Sequence, residues 1–271
     1  MERKAPEIFF IDDGQGDAIV FLHGFLESHE IWDKFTDKLN GKYRIISLDL
    51  PGHGRSSVVS DNQSMEMIAE EVKTILEILG IHKCLLVGHS MGGYAAIDFA
   101  SKYSRLLRGL VLFHTHVEAD SDEDKINRDR TIEIVEKDHL EFLGNFTETL
   151  FAKDNLEKFP AEINNLKQIA ISTSKEGAIS SLRGMRDRND HLASLTKLRI
   201  PVLMIAGDQD SRIPIDKVKK QANTAPKVRL EILHGTGHMG FVEAEKESFK
   251  LIKEFAESVF RGSITMIFTF G

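Results

Sequence analysis

The first half of the chain alternates short apolar runs with amphipathic stretches. Near-continuous apolar runs are typical of strands that are buried on both faces of a parallel sheet. These runs lie at 18–22, 43–48, 84–87 and 110–113. Apolar residues at helical spacing lie between them, at 31–39, 64–79 and 91–103. Strands that alternate with helices in this way predict an α/β fold, with a mostly parallel central sheet flanked by helices.

The alternation breaks after the fourth strand and later resumes. Five of the seven residues at 118–124 are acidic and open a long helical stretch, and no strong strand follows until 202–206. The stretch at 117–195 is therefore predicted to be a helical insertion, a cap or lid, in a core domain made of 1–116 and 196–271. The resumed pattern predicts strands at 202–206 and 228–233 and helices at 216–223 and 244–260.

The final stretch at 262–271 is apolar and β-prone, although it follows the last predicted helix. A segment of this kind pairs with a sheet edge or with a second subunit, or it stays loose and prone to aggregation. The sequence therefore leaves the oligomeric state open between a monomer and a homodimer.

Composition and charge narrow the function classes. Lys and Arg number 35 against 42 Asp and Glu, a net charge of −7, whereas a nucleic-acid-binding surface carries an excess of basic residues. The single cysteine, Cys84, excludes an intramolecular disulfide. The first residues lack the apolar core of a signal peptide, and no apolar run approaches the roughly 18 residues that span a bilayer. We expect a soluble, cytoplasmic protein with no nucleic-acid or membrane partner.

The clearest chemical signal is the G-x-S-x-G pattern at 88–92, which places Ser90 between a predicted strand and a predicted helix. That context is the setting of a nucleophile elbow, in which a tight turn holds the serine in a strained backbone conformation. Flanking glycines are needed because larger side chains would collide with the neighbouring strand or helix. A glycine-rich turn with a capping serine is the alternative, and the strand–helix context favours the elbow.

A serine hydroxyl needs a base to take its proton, usually a histidine that a carboxylate orients. After a nucleophile elbow, the acid should follow one late strand and the histidine the next. Asp208 and Asp210 follow one predicted strand, and His234 and His238 follow the next. We prefer Asp210 and His238 because their loop positions give them the reach to meet over the sheet edge, although Asp208 can serve as the acid.

Motifs spread over nearly the whole chain resemble those of the α/β-hydrolase-fold superfamily, which contains small serine carboxylesterases and enol-lactonases. The matching segments lie at 23–25, 49–56, 88–93, 207–214 and 237–238. Together these motifs are very specific for the fold and the triad, but they carry little information about the substrate. In the family's G-x-x-D pattern the acid falls on Asp210, and the base falls on His238, in agreement with the choice made from the residues.

The resemblance also implies an oxyanion hole made of two backbone N–H groups. One belongs to Met91, the residue after the nucleophile, and the other to Phe25, in the loop after the strand at 18–22. We expect His23 to brace that loop, a structural role.

His114 and His116 stand at the end of a strand and raise the question of a metal site. No third ligand lies at a recognisable spacing, and catalytic zinc usually has three protein ligands. We therefore expect no metal and no organic cofactor, and we place His114 at the mouth of the substrate pocket.

Three arginines lie near the end of the insertion, in a stretch similar to one in enol-lactonase-type members. They are Arg183, Arg186 and Arg188. Either they meet a carboxylate of the substrate or they form salt bridges with the acid-rich insertion, and we favour the salt bridges.

Together these residues predict a serine hydrolase that cleaves a carboxylic ester or lactone of a small molecule. Ser90, His238 and Asp210 would form its triad, with an acyl-enzyme intermediate. C–C bond hydrolysis and cofactor-free haloperoxidase or perhydrolase chemistry use a similar triad and are alternatives. A small-molecule receptor with slow turnover is the alternative of another class. The physiological substrate does not follow from the sequence.

Overall fold

A computed structural model describes residues 8–261, and the apolar segment at 262–271 lies outside the described residues. The strands are β1 Phe10–Asp13, β2 Ala18–Leu22, β3 Arg44–Leu48, β4 Cys84–His89, β5 Leu107–Phe113, β6 Val202–Gly207 and β7 Val228–Leu233. The α-helices are α1 Asp33–Leu39, α2 Met65–Ile78, α3 Met91–Tyr103, α4 Asp122–Lys137, α5 His139–Phe146, α6 Pro160–Ser172, α7 Lys175–Arg186, α8 Leu192–Lys197, α9 Ile215–Thr224, α10 Gly240–Glu243 and α11 Glu245–Arg261. Short 3₁₀ helices occupy His29–Trp32, Ser104–Leu106, Thr147–Leu150 and Lys153–Asn155.

These strands form one sheet in the order β1-β3-β2-β4-β5-β6-β7. β1 runs antiparallel to β3, and the other neighbouring pairs are parallel. The carboxyl ends of the parallel strands therefore meet at one edge, where the loops after β2, β4, β6 and β7 come together. The predicted mostly parallel sheet is confirmed.

The apolar strands are buried on both faces of the sheet, as their sequences predict. In β2, Val20 and Leu22 pack into the core on one side, and Ile19 and Phe21 pack into the core on the other. Helices α2 and α3 contribute to the first core, and α1 and α11 contribute to the second. Burial on both faces follows because the helical crossovers of a parallel sheet cover it on each side.

The apolar pattern does not predict β1, the edge strand. Three of its four residues are exposed, and it ends in two acids. Pairing with β3 and an ion pair between Asp12 and Arg44 hold it in place. Since an edge strand is exposed and often charged, hydrophobic alternation is a weak guide to it.

Between β5 and β6 the described residues form helices and loops, and α4 packs on α7 while α5 packs on α6. The division of the chain into a core domain and a cap stays a prediction. Across the described range, no helix combines the length and the apolar character that crossing a bilayer requires.

Candidate active site

Ser90 lies where β4 passes directly into α3. Its backbone has φ 49° and ψ −113°, a conformation that residues with a side chain rarely adopt. Close backbone approaches enforce the turn, because a side chain at Gly88 would collide with the backbone of Gly92, and one at Gly92 with the carbonyl of His23. The G-x-S-x-G segment therefore forms a strained elbow, and Ser90 lines a cavity beside it.

The side chains of Ser90, His238 and Asp210 form one hydrogen-bonded chain. His238 Nε2 lies 2.9 Å from Ser90 Oγ, and His238 Nδ1 lies 2.7 Å from Asp210 Oδ2. Nδ1–H donates to the carboxylate, which leaves Nε2 free to accept the hydroxyl proton. Because β6 and β7 are adjacent parallel strands, their carboxyl-end loops bring the acid and the base together.

Asp210 is buried, yet its surroundings favour the charged form. Burial alone would raise the pKa of this carboxyl group, but the charge of His238 and the hydrogen bonds from His114 and His238 hold the pKa well below its usual range. Its other oxygen accepts from the backbone N–H groups of Arg212 and Ile213 at 2.8 and 3.0 Å. A carboxylate held in this way can stabilise positive charge on His238.

The alternative acid and base, Asp208 and His234, form a separate pair at the surface. His234 Nδ1 lies 2.9 Å from Asp208 Oδ2, and the His234 side chain is 85% exposed. Asp208 also accepts from the backbone N–H of Gly235. These hydrogen bonds stabilise the loop after β7, and the hydrogen bond of the Ser90 hydroxyl goes to His238 instead.

The expectation that His114 lies at the mouth of the pocket is wrong. The side chain is fully buried and does not line the cavity, and its Nδ1 donates to Asp210 Oδ2 at 3.0 Å. A carboxylate buried away from water needs donors from the protein, and His114 supplies one of them. Burial lowers the pKa of His114 to about 4, against the opposing effect of Asp210, so the ring is neutral at pH 7.

His114, Asp210 and His238 also offer one metal-ligating atom each, all within 4.8 Å of one another. In this arrangement both histidines already donate Nδ1–H to the carboxylate, and His238 Nε2 is directed at Ser90. A metal ion would have to displace both protons. The donor set therefore fits a hydrogen-bonded network, and the absence of a metal or organic cofactor stays a prediction.

Of the two proposed oxyanion donors, one follows Ser90 in the chain and the other belongs to a residue of the same cavity. Met91 is the first residue of α3, where the N–H groups have no partner inside the helix, and Phe25 lines the same cavity as Ser90. His23 holds the Phe25 loop, because its Nδ1 donates to the Gly24 carbonyl at 2.7 Å and its Nε2 accepts from Leu50 N–H at 2.8 Å.

A buried ion pair that sequence reasoning missed lies behind this site. Glu27 Oε2 accepts from Gly24 N–H at 2.5 Å and lies 3.0 Å from His89 Nδ1, while His89 Nε2 lies 3.0 Å from the backbone carbonyl of His238. Both ring nitrogens face oxygen acceptors, an arrangement that favours the doubly protonated, charged form of His89. Burial opposes this charge, but Glu27 outweighs it and raises the pKa of His89. The pair links the oxyanion loop, the elbow and the backbone of the proposed base.

The cavity beside Ser90 has a volume of about 740 Å³, within the range of small-molecule sites. Its floor holds Ser90, His238 and Phe25, and much of its wall comes from α4, α5 and the following 3₁₀ helix. Apolar wall residues include Phe142, Phe146, Leu150, Leu182, Met185 and Ile213.

The arginines that the sequence singled out are engaged elsewhere. Arg186 pairs with Asp129, and Arg188 pairs with the buried Asp120. Arg183 donates to a backbone carbonyl outside the insertion. The favoured expectation of salt bridges with acidic residues is confirmed for Arg186 and Arg188.

The family model for the alpha/beta hydrolase fold matches residues 17–245. The chain belongs to the alpha/beta hydrolase fold family. The expected family is therefore confirmed, and with it the expectation that the protein is a hydrolase.

Three similar proteins show the chemistry found on this fold. A thermophilic esterase from Thermogutta terrifontis, in a malate-bound structure, is 30% identical with a TM-score of 0.89, and the match covers 94% of each chain. Non-heme chloroperoxidase CPO-A1 from Kitasatospora aureofaciens is 28% identical, with 91% of this chain and 94% of that protein covered. A 2-hydroxy-6-oxononadienedioate/2-hydroxy-6-oxononatrienedioate hydrolase from Burkholderia vietnamiensis is 25% identical, with 92% and 90% covered.

Proposed function

We propose that this alpha/beta hydrolase is a serine hydrolase that cleaves a carboxylic ester or lactone of a small molecule. One observation carries the proposal: Ser90 Oγ, the His238 ring and the Asp210 carboxylate form a continuous hydrogen-bonded chain at the floor of a cavity. The esterase from Thermogutta terrifontis, which is 30% identical over nearly the whole chain, supports the ester class.

The geometry supports a two-step reaction. Ser90 Oγ attacks the carbonyl carbon as its proton passes over 2.9 Å to His238 Nε2. Asp210 fixes the tautomer of His238 and stabilises the imidazolium that forms, since its carboxylate is held in the charged form. His238 then returns the proton to the leaving oxygen, which frees the alcohol and leaves an acyl group on Ser90.

The oxyanion of each tetrahedral intermediate would accept hydrogen bonds from the N–H groups of Phe25 and Met91. Donors fixed in advance stabilise such charge strongly, and the loss of one costs about 2.7–4 kcal/mol. Water that His238 deprotonates would then attack the acyl group and release the acid. The steps use only side chains and backbone groups of the chain itself.

We further propose that the helices between β5 and β6 act as a cap that selects the substrate. Phe142, Phe146 and Leu150 come from this segment and line the cavity. Phe146 also packs edge-on against Phe25, with ring centroids 5.7 Å apart. Movement of this contact would open or close the cavity, as lids do in many enzymes.

Two other activities on the same triad are second candidates. Haloperoxidase or perhydrolase chemistry is favoured by the chloroperoxidase relative, and hydrolysis of an oxo-acid, including C–C cleavage, by the dienedioate hydrolase relative. A slow-turnover receptor would keep the triad and release its product slowly.

We propose a cytoplasmic location as well, supported by the one cysteine. Cys84 is fully buried, and burial raises the pKa of its thiol to about 12, so it behaves as a core residue. Whether the chain acts as a monomer or a homodimer stays a prediction.

The test is hydrolysis of p-nitrophenyl esters with acyl chains of about two to twelve carbons, a range that probes pocket length. Wild type is compared with Ser90→Ala and with Ser258→Ala, which changes an exposed serine on α11. We expect turnover by wild type and Ser258→Ala, and a fall to background in Ser90→Ala.

The outcomes separate the candidates. A burst of one equivalent followed by very slow release indicates a receptor. Turnover of a chlorination or C–C cleavage substrate, without ester turnover, favours the second candidates. Equal ester turnover by wild type and Ser90→Ala contradicts the proposal.

A further inference from the structure

Arg212 is a cation of the cavity wall, and no carboxylate side chain of the described residues forms an ion pair with it. It lies two residues after Asp210, it is exposed, and it lines the cavity together with Ser90 and His238. Its guanidinium donates to Thr149 Oγ1 and lies 4.9 Å from the ring centroid of Phe146. Among residues 8–261, no Asp or Glu side chain forms an ion pair with it. The two contacts fix the plane of the guanidinium and leave donors free.

The other arginine of the wall, Arg128, forms an ion pair with a carboxylate that it shares with Arg188. Arg128 Nε lies 3.0 Å from Asp120 Oδ2, and that carboxylate is buried. Arg212 is therefore the arginine of the cavity wall that forms no ion pair with a carboxylate side chain of residues 8–261.

The acidic side chains of the wall are engaged in local structure. Glu27 is paired with His89. Asp124 belongs to the capping box of α4, and Asp138 accepts from a backbone N–H at the start of α5. Glu141 lies in the first turn of α5, where the helix N-terminus favours negative charge. These groups do not neutralise Arg212.

We propose that Arg212 binds a carboxylate of the substrate, so that this enzyme prefers esters or lactones that carry a free acid group. This inference rests on the proposed hydrolase function and names its substrate class. A guanidinium presents several N–H donors in a plane that matches the two oxygens of a carboxylate, and a fixed plane lowers the entropy lost on binding. Recognition of this kind would orient the substrate carbonyl over Ser90.

A purely structural role makes a different prediction. If Arg212 only ties the core to Thr149 and Phe146, its loss should affect every substrate alike. If it binds a carboxylate, its loss should affect anionic substrates and spare neutral ones. The ratio of the two rates therefore separates the roles.

The experiment compares two pairs of esters, because the acid could be carried on either side of the scissile bond. On the acyl side, p-nitrophenyl hydrogen glutarate is compared with p-nitrophenyl pentanoate. On the alcohol side, 4-(butyryloxy)benzoate is compared with its methyl ester. The proteins are wild type, Arg212→Gln, Arg212→Lys and Arg229→Gln, which removes an exposed arginine of β7 outside the cavity.

We expect wild type and Arg229→Gln to prefer the anionic member of at least one pair in kcat/KM by about tenfold or more, since charge-assisted hydrogen bonds contribute at this level. Arg212→Gln should abolish the preference, because it lowers kcat/KM on the anionic ester far more than on the neutral one. Arg212→Lys should restore part of it, because it keeps the charge without the planar fork. Neutral esters that are cleaved with no Arg212-dependent preference in either pair overturn the inference and leave the hydrolase function standing.

A binding measurement decides the inference without turnover. Glutarate and its neutral diamide are added to Ser90→Ala and to Ser90→Ala/Arg212→Gln, and the melting temperature is recorded. Glutarate should raise the melting temperature of the first protein only, and the diamide should act on neither. An equal effect of glutarate on both proteins overturns the assignment. If wild type cleaves none of the esters and glutarate still binds in an Arg212-dependent way, the hydrolase function is rejected and the carboxylate site is retained.

Discussion

At the scale of single residues, the site contains two His–Asp pairs of similar length and opposite setting. His238–Asp210 is buried and reaches Ser90, whereas His234–Asp208 lies at the surface. Solvent screens the charges of an exposed pair, so the pair contributes little to the free energy of unfolding. Only in the buried pair can the histidine accept the hydroxyl proton of Ser90.

This contrast predicts the outcome of four variants. Asp210→Asn and His238→Ala should lower kcat on a p-nitrophenyl ester by about 10⁴-fold, because the tautomer or the base is lost. Asp208→Asn and His234→Ala should keep kcat within about twofold, and they serve as matched controls for the first two. A large loss in Asp208→Asn with an active Asp210→Asn would reverse the assignment of the acid.

Glu27 is a positioning residue in this account. Its removal leaves His89 without a counter-charge in a buried place, so His89 gives up a proton and donates to only one of its two acceptors. We expect Glu27→Gln to lower kcat by about tenfold or more with little change in KM, since the oxyanion loop and His238 both lose support.

The control for this variant is Glu30→Gln, an exposed acid in the 3₁₀ helix that follows Glu27. Steady-state kinetics and a melting curve are measured for both proteins. A folded Glu27→Gln enzyme with wild-type kcat would show that the ion pair has no part in positioning.

The residues of the site differ in how far sequence reveals them. Ser90 is predictable because glycines and an adjacent strand and helix are needed for its turn. Asp210 and His238 follow from their places after adjacent strands. Glu27 and His89 lie 62 positions apart, and their pairing depends on the fold. The prediction for His114 fails because a histidine at the end of a strand can face the pocket or lie behind it, and the local sequence is the same in both cases.

At the scale of elements, the apolar strands were predicted closely, and the polar edge strand β1 was not predicted. β2 agrees with the predicted 18–22, because its side chains are buried on both faces. β1 has no such constraint at the sheet edge. The helical structure of the insertion can be predicted from its composition. The cavity that the insertion forms cannot, because it depends on how separate helices pack.

Helix α7 contacts the core through a glycine. A Cβ atom at Gly184 would overlap the backbone carbonyl of Gln63, which cannot move aside as a flexible side chain would. We expect Gly184→Ala to displace α7 and to lower the free energy of unfolding by about 1–3 kcal/mol, the usual cost of overpacking.

Gly144→Ala is the matched control on α5, where the nearest atom to the new methyl group is Lys167 Cε at 3.4 Å. It should leave stability unchanged or raise it by about 0.5–1 kcal/mol, since alanine favours helix more than glycine does. Urea unfolding of both variants checks the pair. Equal stability of the two variants would mean that α7 is not held by this close approach.

At the scale of the whole molecule, three buried histidines predict how stability depends on pH. Burial lowers the pKa of His53 to about 3, of His114 to about 4 and of His116 to about 2. Each has a buried ring nitrogen that finds no hydrogen-bond partner among residues 8–261. Above pH 6.5 these groups are neutral in the folded and unfolded chain and contribute no pH dependence.

Below that pH these histidines bind protons in the unfolded chain but stay neutral in the folded chain, so the free energy of unfolding falls as the pH drops. From pH 7.5 to pH 5 each group should remove about 2 kcal/mol from the free energy of unfolding. His29 and His89 act in the opposite direction because their pKa values are raised. The predicted net effect is a loss of stability.

Urea unfolding at pH 7.5 and pH 5 tests this dependence. His116→Asn should reduce the difference between the two pH values by about 2 kcal/mol, whereas His82→Asn, at an exposed position, should not change it. An unchanged difference in His116→Asn would mean that His116 is not a buried neutral group.

In the proposed mechanism, Ser90 is a nucleophile that His238 and Asp210 activate. A fluorophosphonate tests it directly, because Ser90 Oγ would attack phosphorus, fluoride would leave and His238 would take the hydroxyl proton. Intact-mass measurement and peptide mapping should show one adduct, on Ser90, with much slower labelling of His238→Ala and none of Ser90→Ala. Labelling of Ser90→Ala to the same extent as wild type, or an adduct at another residue, would contradict the account.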